Sequence, residues 1–438
     1  MDIYNLVSFA GIFVIIGIAW LVSENKKNMN WKVIIWGIVI QLLIALFIFV
    51  VPIGAKFFLA INSGVIKVLN SASAGARFLF GRLALAPGEV NEAGEGSLGF
   101  ILAFQVFPTI IFFSALISVL YFFKIMPVII KAFARVFTRF MKISGAESLV
   151  ASSNIFIGIE SLFTIKPHLN KITRSEAATI LTAGMATVAS NVLALYVFCL
   201  KAQFPTIAGH LISASLLSAP AAVVISKIIL PEHEVPLTLG TDICPHYKKE
   251  GNLFLAIIEG ANAGLRMIVG IVALLIAVLG LVALVDLCLG EIGARLGYFL
   301  GVNMHWSLKG VLGFIFYPFT LIIGVPVQDA GLISQIIGER LVVTEVVAYQ
   351  DLAVVLGKNL LGHQRSAVIA TYALCGFAHL ASMAIFVGGF TALAPDKIRT
   401  IAEVAPKALV AATLACLLTA CVAGTFFMES SILFGINI

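Results

Sequence analysis

The chain is 438 residues long, 61% hydrophobic and only 11% charged, with a mean hydropathy of +1.08. That much apolar surface cannot be hidden in a water-soluble core, so a soluble globular protein is excluded and a polytopic membrane protein is indicated. The net charge of +6 is explained by basic residues kept in cytoplasmic loops without invoking nucleic acid, and the six cysteines form no CxxC pair, disulfide framework or zinc pattern.

Apolar runs at 6–22, 33–53, 98–123, 177–200, 207–230, 267–287, 366–390 and 408–428 predict about eight spans, each near the ~20 residues a bilayer requires. No basic segment precedes the first run, which is therefore expected to stay as a span and not to act as a cleaved signal. Residues 55–83 carry Lys56, Lys67, Arg77 and Arg82 among apolar neighbours and read as an interfacial helix. Two regions are apolar but interrupted. Residues 144–169 contain Glu147, Ser152-Ser153-Asn154, Gly158 and Glu160; residues 308–349 contain Pro318, Gly324, Pro326, Asp329, Gln335, Gly338, Glu339, Arg340 and Glu345. Both read as re-entrant hairpins, because irregular backbone at membrane depth is tolerated only under a cover of protein or along a wet cavity. The expected fold is an all-α polytopic membrane protein with about eight transmembrane helices, two re-entrant helical hairpins and interfacial helices.

Basic residues recur in alternate connections: Lys26, Lys27 and Lys32; Lys124, Lys131, Arg135, Arg139 and Lys142; Lys166, Lys171 and Arg174; Lys248 and Lys249; Lys397, Arg399 and Lys407. Placing these inside leaves both termini outside, together with the acidic loop of Glu89, Glu92 and Glu95. Each half has a re-entrant polar segment, then a helix with a polar interruption, then an apolar span, so the second half reads as an inverted echo of the first, which predicts a site between the repeats near the bilayer midplane. The chain then divides into scaffold spans with the interfacial helix (1–143), a first core repeat (144–230), a loop with a long scaffold span (231–305) and a second core repeat (306–438).

Ionisable groups inside a bilayer are costly, by roughly 2.5–3.5 kcal/mol on insertion scales, so each needs a partner or a purpose. Thr173 and Glu176 form a capping box that fixes where the fourth span begins. Further along, Gly184-Met185-Ala186-Thr187-Val188-Ala189-Ser190-Asn191 allows two readings. One is close helix packing through small residues. The other is a locally opened helix whose Thr187 hydroxyl and freed carbonyls bind a hard cation, with Asn154 supplying a further oxygen. Singly, His379 reads as an interhelical hydrogen bond and Glu345 as an interfacial carboxylate. Together with Glu160 and Ser382, all in or beside the interrupted regions, they favour a shared polar cavity, with Phe377 available to a flat ligand face.

At these residues the chain resembles the concentrative nucleoside transporter family. The resemblance runs from about residue 5 to 428, and its specific stretches are Ser144-Gly145-Ala146-Glu147-Ser148-Leu149 leading into 154–158, Ile165-Lys166-Pro167, 184–196, Glu259-Gly260-Ala261-Asn262-Ala263-Gly264, Gly324-Val325-Pro326, 345–352, 373–378 and Gly388-Gly389. It implies eight-span subunits forming a homotrimer in a bacterial inner membrane, with two re-entrant hairpins and two broken helices around one nucleoside per subunit. It implies Asn154 and Thr187 as sodium-binding side chains, and Ile157 and Val188 as carbonyl ligands. It also implies Glu345 and Ser382 at the ribose, Phe377 in the pocket wall and Val192 against the base.

Two departures fall where substrate is read. The family has Gly-Gln-Thr-Glu at the first hairpin tip, and this chain has Gly158-Ile159-Glu160-Ser161; Glu160 and Ser161 stand where base-reading groups are expected. His379 stands where the family has an asparagine at the ribose. The expected function is sodium-coupled uptake of a nucleoside or nucleoside-like solute by alternating access, with protons as the alternative coupling ion and a different polar solute as the alternative substrate. No cofactor is expected. An intramembrane enzyme using Glu160, Glu345 and His379 is disfavoured, since neither HExxH nor GxSxG occurs.

Overall fold

The computed structural model describes residues 2–91, 94–247, 250–300, 306–429, 431 and 433; Glu92, Lys248 and Lys249 lie outside them. Among the described residues every regular element is helical, and pairing is limited to isolated bridges such as Ser144 with Leu239. The first three helices are α1 (Ile3–Leu21), α2 (Trp31–Phe49) and α3 (Pro52–Phe80). Asn30 caps α2 by accepting from the Val33 amide, and Pro52 opens α3 where its missing N–H costs nothing. The run 33–53 is thus split between two helices. The proposed interfacial stretch is one continuous helix, and its length and composition also satisfy a membrane crossing.

After α4 (Leu102–Gln105) and α5 (Phe107–Phe122) comes α6 (Ile125–Met141). The basic residues of this last segment suggested a loop. It is instead an amphipathic helix burying Ile130, Ala134, Phe137 and Met141 while Lys131, Arg135 and Arg139 stay outward. The first hairpin follows: α7 (Gly145–Ser153), a turn, and a 3-10 stretch, Ile159–Lys171. Two capping boxes anchor it, Ser144 with Glu147 at α7 and Thr173 with Glu176 at α8 (Arg174–Ala186). The helix α8 stops at the break and α9 (Ser190–Leu200) resumes, followed by α10 (Ile207–Ile229).

The sixth run, 267–287, lies within a much longer helix, α11 (Leu253–Leu300), about 72 Å at 1.5 Å per residue. It meets α5 through Gly260 and Gly264, where an added Cβ would lie 2.7 Å from Ala115 Cα and 2.8 Å from Ile111 Cα. Much of its apolar surface, including Ile276, Leu281 and Leu284, is uncovered.

The second hairpin differs in extent from the expected 308–349. The segment α12 (Leu308–Ile322) is a separate short helix that turns at Gly324 (φ +86°) into the hairpin proper, α13 (Val327–Arg340) and α14 (Glu345–Gly357). The seventh run, read as the interrupted helix of the second repeat, comprises α15 (Gln364–Leu374) and α16 (Leu380–Leu393) separated by an opened stretch, and α17 (Ile398–Thr425) follows. Each half therefore reads hairpin, interrupted helix, long buried helix.

The two hairpins are anchored at opposite ends of α1 and α17. Beyond the C-terminal end of α1, Glu24 pairs with Arg174, at the exit of the first hairpin, and with Lys407 near the start of α17. At the other end, Arg365, just past the second hairpin, donates to Asn5 Oδ1 (2.7 Å), Ser8 Oγ (2.6 Å), the Gly324 carbonyl (2.8 Å) and the Gly424 carbonyl (2.9 Å). The expected inverted repeat is thereby visible in the contacts. The hydrogen-bonded Arg174 guanidinium, with Lys407, holds the Glu24 carboxyl down at about 2. A depressed carboxyl stabilises the fold above its unfolded value near 4.5 and loses that contribution as pH falls toward 2. Thermal midpoints of detergent-solubilised protein should therefore drop more between pH 5 and pH 3 than those of Glu24→Gln; equal drops would count against this linkage.

Candidate functional site

The hairpin tips and the two helix breaks meet inside the molecule. The first tip is tied to the first break by a hydrogen bond from the Ser190 amide to the Phe156 carbonyl, 2.9 Å. The two breaks cross: at Gly376 (φ +127°) an added Cβ would stand 2.6 Å from the Ala186 carbonyl oxygen. Cys416 of α17 lies beneath the crossing and donates to the Cys375 carbonyl at 2.8 Å.

Above this crossing is a cavity of about 150 Å³. The first tip contributes Gly158, Ile159 and Glu160, and the first break Ala189 and Val192. The second tip contributes Thr344, Glu345 and Val346, and the second break Phe377, His379, Ser382, Ile385 and Phe386; Met267, Ile271, Leu274 and Leu275 of α11 form the remaining wall. Five structural segments from across the sequence thus converge on one mostly apolar space with few polar groups, the usual make-up of a small-molecule site.

The polar side is ordered. Tyr196 donates to Glu345 Oε1 at 2.7 Å, and its ring stacks on Tyr349 with centroids 4.5 Å apart. His379 caps α16, its Nδ1 accepting from the Ser382 amide at 3.2 Å. A nitrogen that accepts carries no proton, so the ring N–H is on Nε2. That Nε2 lies 2.7 Å from Ser382 Oγ and 2.7 Å from Glu345 Oε2. One imidazole therefore does what an asparagine side chain would do here, accepting with one atom and donating with another, which explains how the substitution is accommodated. Ile159 has an equally local cause. It packs against Gly389 so closely that a Cβ there would sit 2.2 Å from Ile159 Cδ1.

Of the residues expected at the substrate, Glu160, Val192, Glu345, Phe377, His379 and Ser382 all line the cavity. Ser161 does not; it is buried, and its hydroxyl donates to Asn154 Oδ1 at 3.2 Å because the 3-10 path turns it behind the tip. Thr344 was missed. Its backbone is held at φ +140°, strained for a β-branched residue, and its buried Oγ1 has no partner among the described residues. Only its position immediately before Glu345 signalled it.

The expected cation ligands lie behind the first tip. Asn154 caps α7 at its C-terminus and donates Nδ2–H to the Val150 carbonyl (3.0 Å), which fixes its Oδ1. Thr187 terminates α8 and donates to the Ala183 carbonyl (2.8 Å). Ser215 of α10 donates to the Ile155 carbonyl at 3.1 Å and approaches the Val188 carbonyl at 3.4 Å. The set is oxygen-only and wholly buried, which suits a hard cation.

Three stretches match families described as Na+ dependent nucleoside transporter N-terminus (10–83), nucleoside recognition (103–203) and Na+ dependent nucleoside transporter C-terminus (210–424). A nucleoside permease, NupC, of Helicobacter pylori is 36% identical over 425 residues, covering 96% of this chain and 98% of that protein. Solute carrier family 28 member 3 of Mus musculus is also 36% identical, over 96% of this chain, which spans only 58% of the mouse protein's length. Among solved structures, CNTnw in an inward-facing substrate-bound state superposes with a TM-score of 0.83 at 31% identity, covering 97% of this chain and 98% of that one. An outward-facing variant of the same protein gives 0.86 at 30% identity, covering 97% and 99%. With matched segments along most of its length, a full-length permease relative and the same helical architecture, the chain belongs to the concentrative nucleoside transporter family, a family of membrane transporters and not of enzymes.

Proposed function

We infer that the protein takes up a nucleoside or a close nucleoside-like solute, coupled to inward sodium movement, by alternating access. The observation that carries this reading is the convergence of Glu160, Glu345, His379 and Ser382, from two hairpins and a helix break, on one shared cavity. Glu345, His379 and Ser382 hold the ribose hydroxyls, Phe377 and Val192 lie along the base, and Glu160 receives a base N–H. With Ile159 in place of an amide, the base edge loses one polar reader, so discrimination among bases is weaker than where glutamine is present.

Asn154 and Thr187 side chains with the Ile157 and Val188 carbonyls hold the sodium. The ion ties the first tip to the first break and so sets Glu160 for substrate; proton coupling is the alternative. Each inward charge adds roughly 2.3 kcal/mol per 100 mV to the driving force. The hairpins and broken helices move together against α1–α6 and α11. The uncovered face of α11 supports a homotrimer, in a bacterial inner membrane with both termini outside. Choline in place of sodium should cut nucleoside uptake into proteoliposomes at least tenfold. Thr187→Ala should raise the half-saturating sodium concentration about tenfold, the equivalent of ~1.4 kcal/mol of lost ion binding. Unchanged uptake in choline, with collapse when the proton gradient is dissipated, would favour the proton alternative.

A further inference from the structure

Arg340 is the largest fully buried side chain among the described residues, 1% exposed, and neither the cavity nor the cation ligands account for it. A guanidinium in a membrane interior requires an acceptor set of comparable weight. Here it ends the first helix of the second hairpin and donates from Nη1 to the Ala373 carbonyl at 2.5 Å, in the last turn of α15. In the first repeat Asn154 caps the first helix of its hairpin and Thr187 ends α8. Arg340 and Ala373 are 33 residues apart, as are Asn154 and Thr187. The guanidinium thus sits within one or two residues of Leu341 and Cys375, the helix C-caps that correspond to Asn154 and Thr187 in the first repeat.

The carbonyls at the two breaks are satisfied differently. The end of a half-helix leaves up to four carbonyls unpaired and carries about half a negative charge, with no water in the bilayer core to relieve it. At α15 donors meet three of the last four carbonyls, Tyr349 OH at Thr371 (2.9 Å), the Cys375 amide at Tyr372 (3.3 Å) and Arg340 at Ala373, and no donor among the described residues meets that of Leu374; Cys416 serves the carbonyl of Cys375 just beyond. At α8 the supply falls short. Thr187 reaches the Ala183 carbonyl, Cys416 reaches that of Ala186 only at 3.7 Å, and no donor among the described residues meets those of Gly184 or Met185. One break carries a cation of the protein, and the other, with two carbonyls unmet, carries none among the described residues.

We propose that Arg340 is a tethered cation, standing in the second repeat where the first repeat binds sodium, so that one sodium and no second accompanies each substrate. The proposal rests on the sodium-coupled reading above. The test uses the full chain, purified and reconstituted. Radiolabelled sodium should bind at one site per subunit with a Hill coefficient near one, and reversal potentials should give one charge per nucleoside. Arg340→Met, which keeps length and removes charge, should lower thermal stability and weaken nucleoside binding at least tenfold. Millimolar methylguanidinium should restore much of both in that variant and neither in the parent. A variant matching the parent in stability and binding, or one that methylguanidinium leaves unrescued, overturns the proposal. Should Arg340→Met not fold, two or more sodium ions per nucleoside in the parent overturn it instead. Sodium-independent uptake by the parent refutes the coupling reading, while methylguanidinium rescue of stability, measured without sodium, still tests the tethered cation.

Discussion

Glu345→Gln is expected to weaken nucleoside binding by about 10- to 150-fold, the ~1.5–3 kcal/mol typical of hydrogen bonds to a charged acceptor. The substitution keeps the volume of a side chain that is 3% exposed, so no cavity opens and the loss reports charge. The glutamate takes hydrogen from Tyr196 at one oxygen and faces His379 Nε2 at the other. Each oxygen still has a second lone pair free for a ribose hydroxyl. Glutamine offers one acceptor atom, and its amide group would confront the Nε2–H. Isothermal titration of detergent-solubilised protein with a nucleoside panel reads the effect directly. Binding within threefold of the parent would remove Glu345 from the substrate site.

Gly376→Ala should be still more damaging, because it acts on the crossing that holds both breaks. The new methyl would lie 2.6 Å from the Ala186 carbonyl oxygen and 2.8 Å from Cys416 Sγ. Neither neighbour is the end of a flexible side chain free to swing away. The backbone is also at φ +127°, a region where any L side chain is strained, at a cost of about 1–3 kcal/mol. With the overlap added, a loss of about 2–6 kcal/mol is expected, since overpacking alone costs typically 1–3 kcal/mol. Size-exclusion profiles after heating should show a clearly lower midpoint, and uptake should vanish. Gly17→Ala, at a position where nothing lies within 4 Å, serves as the neutral control. A Gly376→Ala protein as stable and active as that control would mean the breaks do not cross as described.

The two departures from the family pattern have local causes. His379 keeps a helix cap and a donor toward Glu345 in one ring, so the chemistry of an asparagine is preserved in a larger side chain. Ile159 gains apolar contact over Gly389 and gives up an amide at the cavity edge.

Membrane embedding, helical class and the two interrupted regions were legible in the order of residues, because hydropathy and polar interruptions are local properties that need no partner to be recognised. So were the capping box at Thr173 and the polar groups that reach the cavity. A helix with a polar interruption was expected over 366–390, but not where it opens, because the stretch Cys375–His379 is held by Cys416 at the Cys375 carbonyl, by the close approach of Ala186 to Gly376 and, just beyond, by the Leu341 carbonyl at the Leu380 amide, none of them nearby in sequence. The helix α6 looked like a basic loop, since its apolar stripe has meaning only against the hairpin it supports. Ser161 was assigned to the cavity and Thr344 overlooked for the same reason: the direction a side chain takes at a hairpin tip is set by the backbone path. What residue order alone determined is that costly polar groups sit in an apolar chain. Which of them share one space, and which break supplies its own positive charge, was decided only by the fold, because carbonyl and side-chain pairing across hundreds of residues is a property of three-dimensional proximity.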